Sequence, residues 1–549
     1  MHTATDENAA TAATMMPMTL AEVAEATGGR LVGAPATDEA VALHVTTDSR
    51  DVVPGTVFVA IAGEHVDGHD YVARAAGLGA VAAIVDHEVA PGDVDGQAAA
   101  PIAQVVVDDT VDALGRLARH NIDRRRALAA ASVDADGEES RPFAVIGITG
   151  SVGKTTTKDL LNALLSRAGE TVAPVGSFNN EIGMPLTALK VGPTTRFLVS
   201  EMGASHVGEI ARLTGIAAPD VAVVLKVGNA HLGEFGSVER IAEAKSEIVR
   251  GERPDGVTIL NADDGHVAAM AELAPSFVKW FGVEHAADHD DYFSADHIAL
   301  DPLGRPVFTI RMADGAYETL TLGIPGRHNV MNVLAAASVA SYFGMGLKEI
   351  VDVLASVSHI SPHRMAVSDV TIGDDSHDAA DAADEAVPAT SFTLIDDSFN
   401  ANPDSMRAGI DGLVAWRADE DADGTEVAGR PYRIAVLGAM LELGGDEERL
   451  HRTIGEYVAG SGVDAVISVG GATDVHLDRL AGALADGATA AAKEAGASLP
   501  VYWEHGPAGV DARIAELAAA NPGRDVIVLL KGSHASGLSA LAEQWAPAR

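Results

Sequence analysis

The segment Gly150-Ser151-Val152-Gly153-Lys154-Thr155-Thr156 has the residue types needed to hold a chain of phosphates. Glycine lets the backbone curl so that successive N–H groups face one anion, and a helix starting there adds the positive end of its dipole. Lys154 can place a point charge on the outer phosphates, and Thr155 can offer a hydroxyl to Mg²⁺. The expected ligand is ATP, hydrolysed to drive a chemical step. The strict pattern of such loops has glycine where this chain has Ile148; the glycines stand at 147 and 150 instead.

Three further side chains have chemical potential. Glu201 ends an apolar run, and a carboxylate at the C-terminal edge of a parallel sheet lies in the crevice where ligands bind. It reads either as a solvated loop residue or as a Mg²⁺ ligand. His231, in Gly228-Asn229-Ala230-His231, reads as a metal ligand or as a group that positions a phosphate. Lys245 shares a helical face with Ile241 and Ile248, which should point inward. A lysine there must snorkel, pair with an anion or be chemically modified.

These groups need rigid elements to position them. An apolar run from Phe143 to Ile148 ends in glycines, and Lys154 to Ala168 carries leucines at helical spacing until Gly169 stops it. Ser237 predicts an N-cap for a helix running to Arg250. Further strands are expected at 197–199, 221–227 and 257–260 in the middle of the chain. Others are expected at 57–61, 80–85 and 102–107 before it, and at 392–395, 434–437, 463–469 and 526–530 after it. Such strand–helix alternation predicts mainly parallel sheets covered on both faces. A chain of 549 residues is too long for one core, and three α/β domains are expected, at 1–135, 136–361 and 362–549. The stretches 127–141, 373–391 and 418–429 lack apolar anchors and read as exposed segments.

Composition narrows the chemistry. The chain has no cysteine, which removes thiolate nucleophiles and Cys-ligated zinc. A net charge of −41 repels nucleic acid and anionic membranes, so neither is an expected partner. It repels ATP as well, so an anion site needs a local basic pocket or divalent cations. Neither a signal peptide nor a bilayer-spanning apolar run is present, and a cytoplasmic location is expected.

Gly147-Ile-Thr-Gly-Ser-Val-Gly-Lys-Thr-Thr, then Phe178-Asn-Asn-Glu-Ile-Gly, then Glu201-Met-Gly-Ala resemble the Mur ligases of peptidoglycan synthesis, in which the displaced glycine is usual. The resemblance spans the chain. Thr47-Asp-Ser49-Arg50 and Gly63-Glu-His-Val-Asp-Gly-His69 resemble the UDP-binding N-terminal domain. Gly326-Arg-His-Asn329 with Asn332 resembles the segment near the adenine, and Arg364 the arginine that opens a Rossmann-like C-terminal domain and reaches ATP. Asp396-Asp397-Ser-Phe399-Asn400-Ala-Asn402-Pro403, and Leu437 to Gly444 followed by His451, resemble the branch that adds D-alanyl-D-alanine, although Phe399 replaces its usual tyrosine.

The resemblance implies an ATP-dependent amide ligase acting on UDP-N-acetylmuramoyl-tripeptide and D-alanyl-D-alanine, and a monomer is expected. It implies two Mg²⁺ ions, one on Thr155 and Glu201, the other on His231 and a carbamylated Lys245. Lys154 and residues 150–156 would hold the phosphates; Asn329, Arg364 and Asp397 would grip the nucleotide. Ser49 and Arg50 would serve the UDP end, Asn179 and Asn180 the muramyl peptide, and Asn400 and Asn402 the dipeptide. Arg364 and Asp397 would reach ATP by closure of the third domain about a hinge at 361–363. The rival readings are the Mur ligase that adds the third amino acid, a folylpolyglutamate synthase-like ligase, and a nucleotide switch without ligase activity.

Overall fold

The structure, a computed structural model, describes residues 14–33, 41–63, 66–94, 97–98, 101–132, 142–228, 232–358, 360–373, 389–416 and 430–546. His231 and nearly all of the expected exposed stretches at 373–391 and 418–429 lie outside the described residues.

Three large sheets follow one another along the chain. The first has five strands in the order Arg30–Val32, Ala103–Val106, Ala82–Val85, Thr56–Val59 and His44–Thr46, parallel except for the first pair. The second has nine strands. Thr171–Val172, Phe197–Glu201, Ala144–Thr149, Val221–Val224, Val257–Asn261, Phe277–Gly282 and Tyr292–Leu300 lie parallel in that order. Pro306–Met312 and Tyr317–Thr321 then add an antiparallel edge. The third has six strands, in the order Ala366–Ile372, Thr390–Asp397, Val526–Lys531, Tyr432–Gly438, Ala465–Val469 and Val501–Glu504, parallel except for the first pair.

The central sheet is apolar on both faces, which is why its strands read as unbroken apolar runs. Ile146, Ile148, Val221 and Val223 pack on one side with Leu160, Leu161, Leu164 and Leu165 of the Lys154–Ala168 helix. Val145, Ala222 and Val224 pack on the other with Ile241 and Ile248 of the Val238–Arg250 helix. Both helices have the predicted bounds, and Ser237 accepts the N–H of Arg240 as the predicted cap.

The stretch expected to be exposed from residue 127 begins as the last turn of the Thr110–Ala131 helix, in which Ala127, Ala130 and Ala131 are exposed and Ala129 is buried. The helix's polar and charged residues make specific contacts with the central unit. Asn121, fully buried, donates to the carbonyls of Ala188 and Val191, each at 3.0 Å, and accepts the N–H of Met16. Arg125 donates to the carbonyl of Thr195 at 2.9 Å, and Arg126 pairs with Asp220 at 2.9 Å. These polar residues join the helix that follows the first sheet to the second unit.

Candidate active site

The C-terminal ends of the central strands open into a cleft of about 820 Å³, roofed by the third unit. Residues 150–156 form its floor. Gly153 caps the Lys154–Ala168 helix with φ of 86°, and a side-chain carbon there would come within 2.3 Å of Asn332 Oδ1. Both the left-handed backbone and this close approach require glycine. Lys154 donates to the carbonyl of Gly150 at 2.8 Å, so its ammonium curls back over the loop. Desolvation lowers its pKa, opposed by Glu201 and reinforced by Arg364.

Glu201 is not a solvated loop residue. It is the last residue of its strand and 1 % exposed. Its carboxylate accepts from Thr155 Oγ1 at 3.2 Å, Ser177 Oγ at 3.1 Å and Asn179 Nδ2 at 3.1 Å. Thr155 and Glu201 therefore present adjacent hard oxygen donors, the donor type Mg²⁺ takes. Lys245 reaches the same cleft from the Val238–Arg250 helix. It is 3 % exposed and has no hydrogen-bond or ion-pair partner among the described residues. Burial, with a smaller push from Lys154, lowers its pKa to about 7.

The third unit supplies the opposite wall. Arg364 donates to Thr155 Oγ1 at 3.3 Å and stacks 4.4 Å over the Phe399 ring, so the third unit meets the phosphate loop directly. Asp397, at the end of its strand, pairs with Lys531 at 2.6 Å. Lys531 is 1 % exposed and ends the neighbouring strand. Asn329 accepts from Asn332 Nδ2 at 2.9 Å, placing that asparagine pair beside the loop.

Several expected contacts already have internal partners. Asn180 accepts the N–H of Gly183 at 2.9 Å, Asn400 that of Ala401 at 2.8 Å, and Asn402 caps the Pro403–Ala415 helix by accepting from Ser405 at 2.9 Å. All three line the cleft, as does Asn179. Ser49 and Arg50 do not. They form a short turn in the first unit, with Arg50 hydrogen-bonded to Asp48. The Leu437–Gly444 segment meets the Leu232–Phe235 helix, where Gly233 donates to the carbonyl of Glu442 at 3.3 Å. Buried His451 anchors that segment, accepting from the N–H of Met440 at 2.8 Å.

Sequence reasoning missed Ser177 and Lys531. Ser177 precedes a noticed asparagine by two residues, and only the loop's path shows that it turns towards Glu201. Lys531 carried the same signal as Glu201, a charged residue closing a buried strand, in Val526 to Lys531 followed by glycine.

Comparison with known proteins gives the same answer along the whole chain. Residues 43–122 match the Mur ligase catalytic-domain family model, 148–340 the Mur ligase middle domain, and 385–534 the Mur ligase glutamate ligase domain. The UDP-N-acetylmuramoyl-tripeptide–D-alanyl-D-alanine ligase of Mycobacterium tuberculosis is 38 % identical over 538 residues, 96 % of this chain and 98 % of that protein. The protein of the same name from Escherichia coli is 34 % identical over 83 % of this chain and 86 % of its own. Among solved structures, MurF from Acinetobacter baumannii superposes with a TM-score of 0.74 at 30 % identity, covering 97 % of this chain and 99 % of that one. MurF from Thermotoga maritima in complex with ADP has a TM-score of 0.66 at 25 % identity, covering 91 % and 96 %. A folylpolyglutamate synthase of Mycobacterium tuberculosis, at 17 % identity and a TM-score of 0.51 over 80 % of this chain and all of that one, shares the fold alone. This chain belongs to the Mur ligase family.

Proposed function

We propose that the chain is an ATP-dependent amide ligase joining D-alanyl-D-alanine to UDP-N-acetylmuramoyl-tripeptide, the step that completes the nucleotide-linked pentapeptide precursor of peptidoglycan. The observation that carries this reading is the junction of Thr155, Glu201 and Arg364 in a chain of this family. There a phosphate loop, a buried carboxylate and an arginine of the third unit meet at one hydroxyl. The units correspond to residues 1–135 for the UDP-muramyl end, 136–361 for ATP and 362–549 for the closing domain.

In the reaction, the C-terminal carboxylate of the tripeptide attacks the γ-phosphate of ATP, and ADP leaves. The amine of D-alanyl-D-alanine then attacks the acyl phosphate, and phosphate leaves. The first step brings two anions together. Unit charges about 4 Å apart repel by about 4 kcal/mol at an effective dielectric of about 20. Lys154 and Arg364 offset that repulsion from opposite walls. Thr155 and Glu201 would hold one Mg²⁺, and His231 with Lys245 as its carbamate a second, supplying further neutralisation. A lysine with a pKa near 7 is substantially an amine at neutral pH, the form that adds to CO₂ with loss of a proton. Lys154 and the loop N–H groups orient the γ-phosphate, and Arg364 and Asp397 approach the nucleotide from the third unit. Asn179 and Asn180 face the muramyl peptide, Asn400 and Asn402 the dipeptide, and Ser49 and Arg50 the UDP end.

The enzyme works as a cytoplasmic monomer without a nucleic-acid partner. The net charge of −41 supports the last point, because it repels nucleic acid. Phosphate release by purified protein tests the reading. With ATP and the tripeptide substrate, release should require D-alanyl-D-alanine. Release with the dipeptide substrate plus diaminopimelate or lysine would move the chain to the branch that adds the third residue. Release with a folate and glutamate would make it folylpolyglutamate synthase-like, and none with any pair would leave a nucleotide switch.

A further inference from the structure

Lys158 is 1 % exposed, and the reaction as derived gives it no task. It sits one turn beyond Lys154 on the phosphate-loop helix. Its ammonium donates to the carbonyls of Pro174 at 2.8 Å and Gly176 at 3.2 Å and to Ser361 Oγ at 3.1 Å. It also lies 2.8 Å from Asp159 Oδ1. The other oxygen of Asp159 accepts the backbone N–H of Ser361 at 2.8 Å. A buried ammonium is costly unless it is paired, and this one is fully partnered. Yet an apolar side chain of similar volume commonly replaces a buried ion pair without loss of stability. Folding alone therefore does not call for a cation here.

What the cation does is join three segments that each end at Thr155. The first is the helix that carries Thr155 itself. The second is the loop from Pro174, whose Ser177 and Asn179 donate to Glu201, the carboxylate facing Thr155. The third is the connection into the third unit, where Ser361 precedes Arg364, which donates to Thr155. Within that connection His363 and Met365 have φ of 58° and 51°, a left-handed backbone that non-glycine residues adopt only when surrounding contacts hold it.

We infer that Lys158 is a positioning residue for the transfer reaction. It ties the pivot of the third unit and the loop that aims Glu201 to one point on the phosphate-loop helix. Arg364 and Glu201 therefore arrive at Thr155 in a single geometry. The inference rests on the ligase reading for its kinetic consequence, and its structural consequence can be measured without turnover.

The test compares Lys158→Met, Ser361→Ala and the double variant with the unaltered chain. Dyes on the central and third units report closure when a non-hydrolysable ATP analogue and the tripeptide substrate are added. Lys158→Met should keep ATP affinity within about threefold and lose kcat by roughly 30-fold or more, because only the transition-state geometry is disturbed. Its dye distance should no longer reach the closed value. Ser361→Ala should lose about three- to tenfold in kcat, and the double variant should be no worse than Lys158→Met, as expected of one network. Lys158→Met with kcat within about threefold of the parent would overturn the inference. So would parallel losses of ATP affinity, melting temperature and kcat, which mark general damage, or losses that multiply in the double variant. Should Lys158→Met not fold, Ser361→Ala decides, and normal closure with kcat within about twofold overturns the proposal. A parent chain that closes on ligands without forming product would remove the ligase reading while the dye distances still judge the pivot.

Discussion

Burial acts on Lys245 and Glu252 for the same reason and with opposite signs. Each loses the hydration that stabilises its charged form, so the lysine's pKa falls and the carboxyl's rises. Lys245 comes down to about 7 and lines the cleft. Intact-mass measurement in bicarbonate buffer should show the added mass of one CO₂, lost in Lys245→Met, with kcat lower by on the order of 100-fold in that variant. An unmodified mass at every bicarbonate concentration, with turnover indifferent to bicarbonate, would refute the carbamate. Glu252 lies away from the chemistry. It is 6 % exposed, one carboxyl oxygen has no hydrogen-bond partner among the described residues, and the other accepts from Thr258 at 2.5 Å. Its pKa rises to about 7, mainly through burial. A carboxyl raised above its unfolded value of 4.5 contributes stability that is complete below that value and lost as pH rises through about 7. Glu252→Gln should therefore match the parent at pH about 5 and exceed it by on the order of 1–2 kcal/mol at pH about 8, read from urea midpoints.

Elements whose signals are local were legible. The Lys154–Ala168 and Val238–Arg250 helices follow from leucine and isoleucine spacing, one serine cap and the stop at Gly169. The Thr110–Ala131 helix was not read from the sequence, where only the stretch from residue 127 was noted, as exposed. Its arginines and Asn121 pair with carbonyls from a distant part of the chain, and no local periodicity reports that. The phosphate loop itself is an element-level feature, because the backbone rather than the side chains grips the anion. Gly153→Ala tests it. With φ of 86° and only 2.3 Å to Asn332 Oδ1, the added methyl must displace the loop or the asparagine. ATP affinity should fall at least tenfold, or more than about 1.4 kcal/mol, in equilibrium titration, with the melting temperature little changed. Unaltered affinity would show that the loop tolerates the change.

Across the whole molecule, 79 acidic residues face 38 basic ones, and cations concentrate where the units meet. Lys154, Lys245, Arg364 and Lys531 all line the cleft. Those cations offset the anionic character of the chain at the cleft, and the surface as a whole repels itself in the folded state. Raising ionic strength from about 0.01 M to about 1 M shortens the screening length from about 30 Å to about 3 Å. The melting temperature should rise over that range, and a fall would show that paired surface charges outweigh the repulsion. The third unit should also swing. Solution scattering should show a larger radius without ligands than with nucleotide and tripeptide substrate, pivoting at 361–363. Identical profiles would remove that motion.

The sequence by itself determined the phosphate loop, the three α/β units, the two helices that flank the central sheet and the family. Each depends on spacing within a few turns of chain, or on motifs short enough to read whole. The tertiary structure alone decided that Glu201 is buried and shared by three donors, that Asp397 answers to Lys531, and that Lys158 binds Ser361 to the phosphate-loop helix. Those partners are 22 to 203 residues apart in sequence. A residue's type states which bonds it can make, and only the packing of the three units determines which groups come close enough to make them.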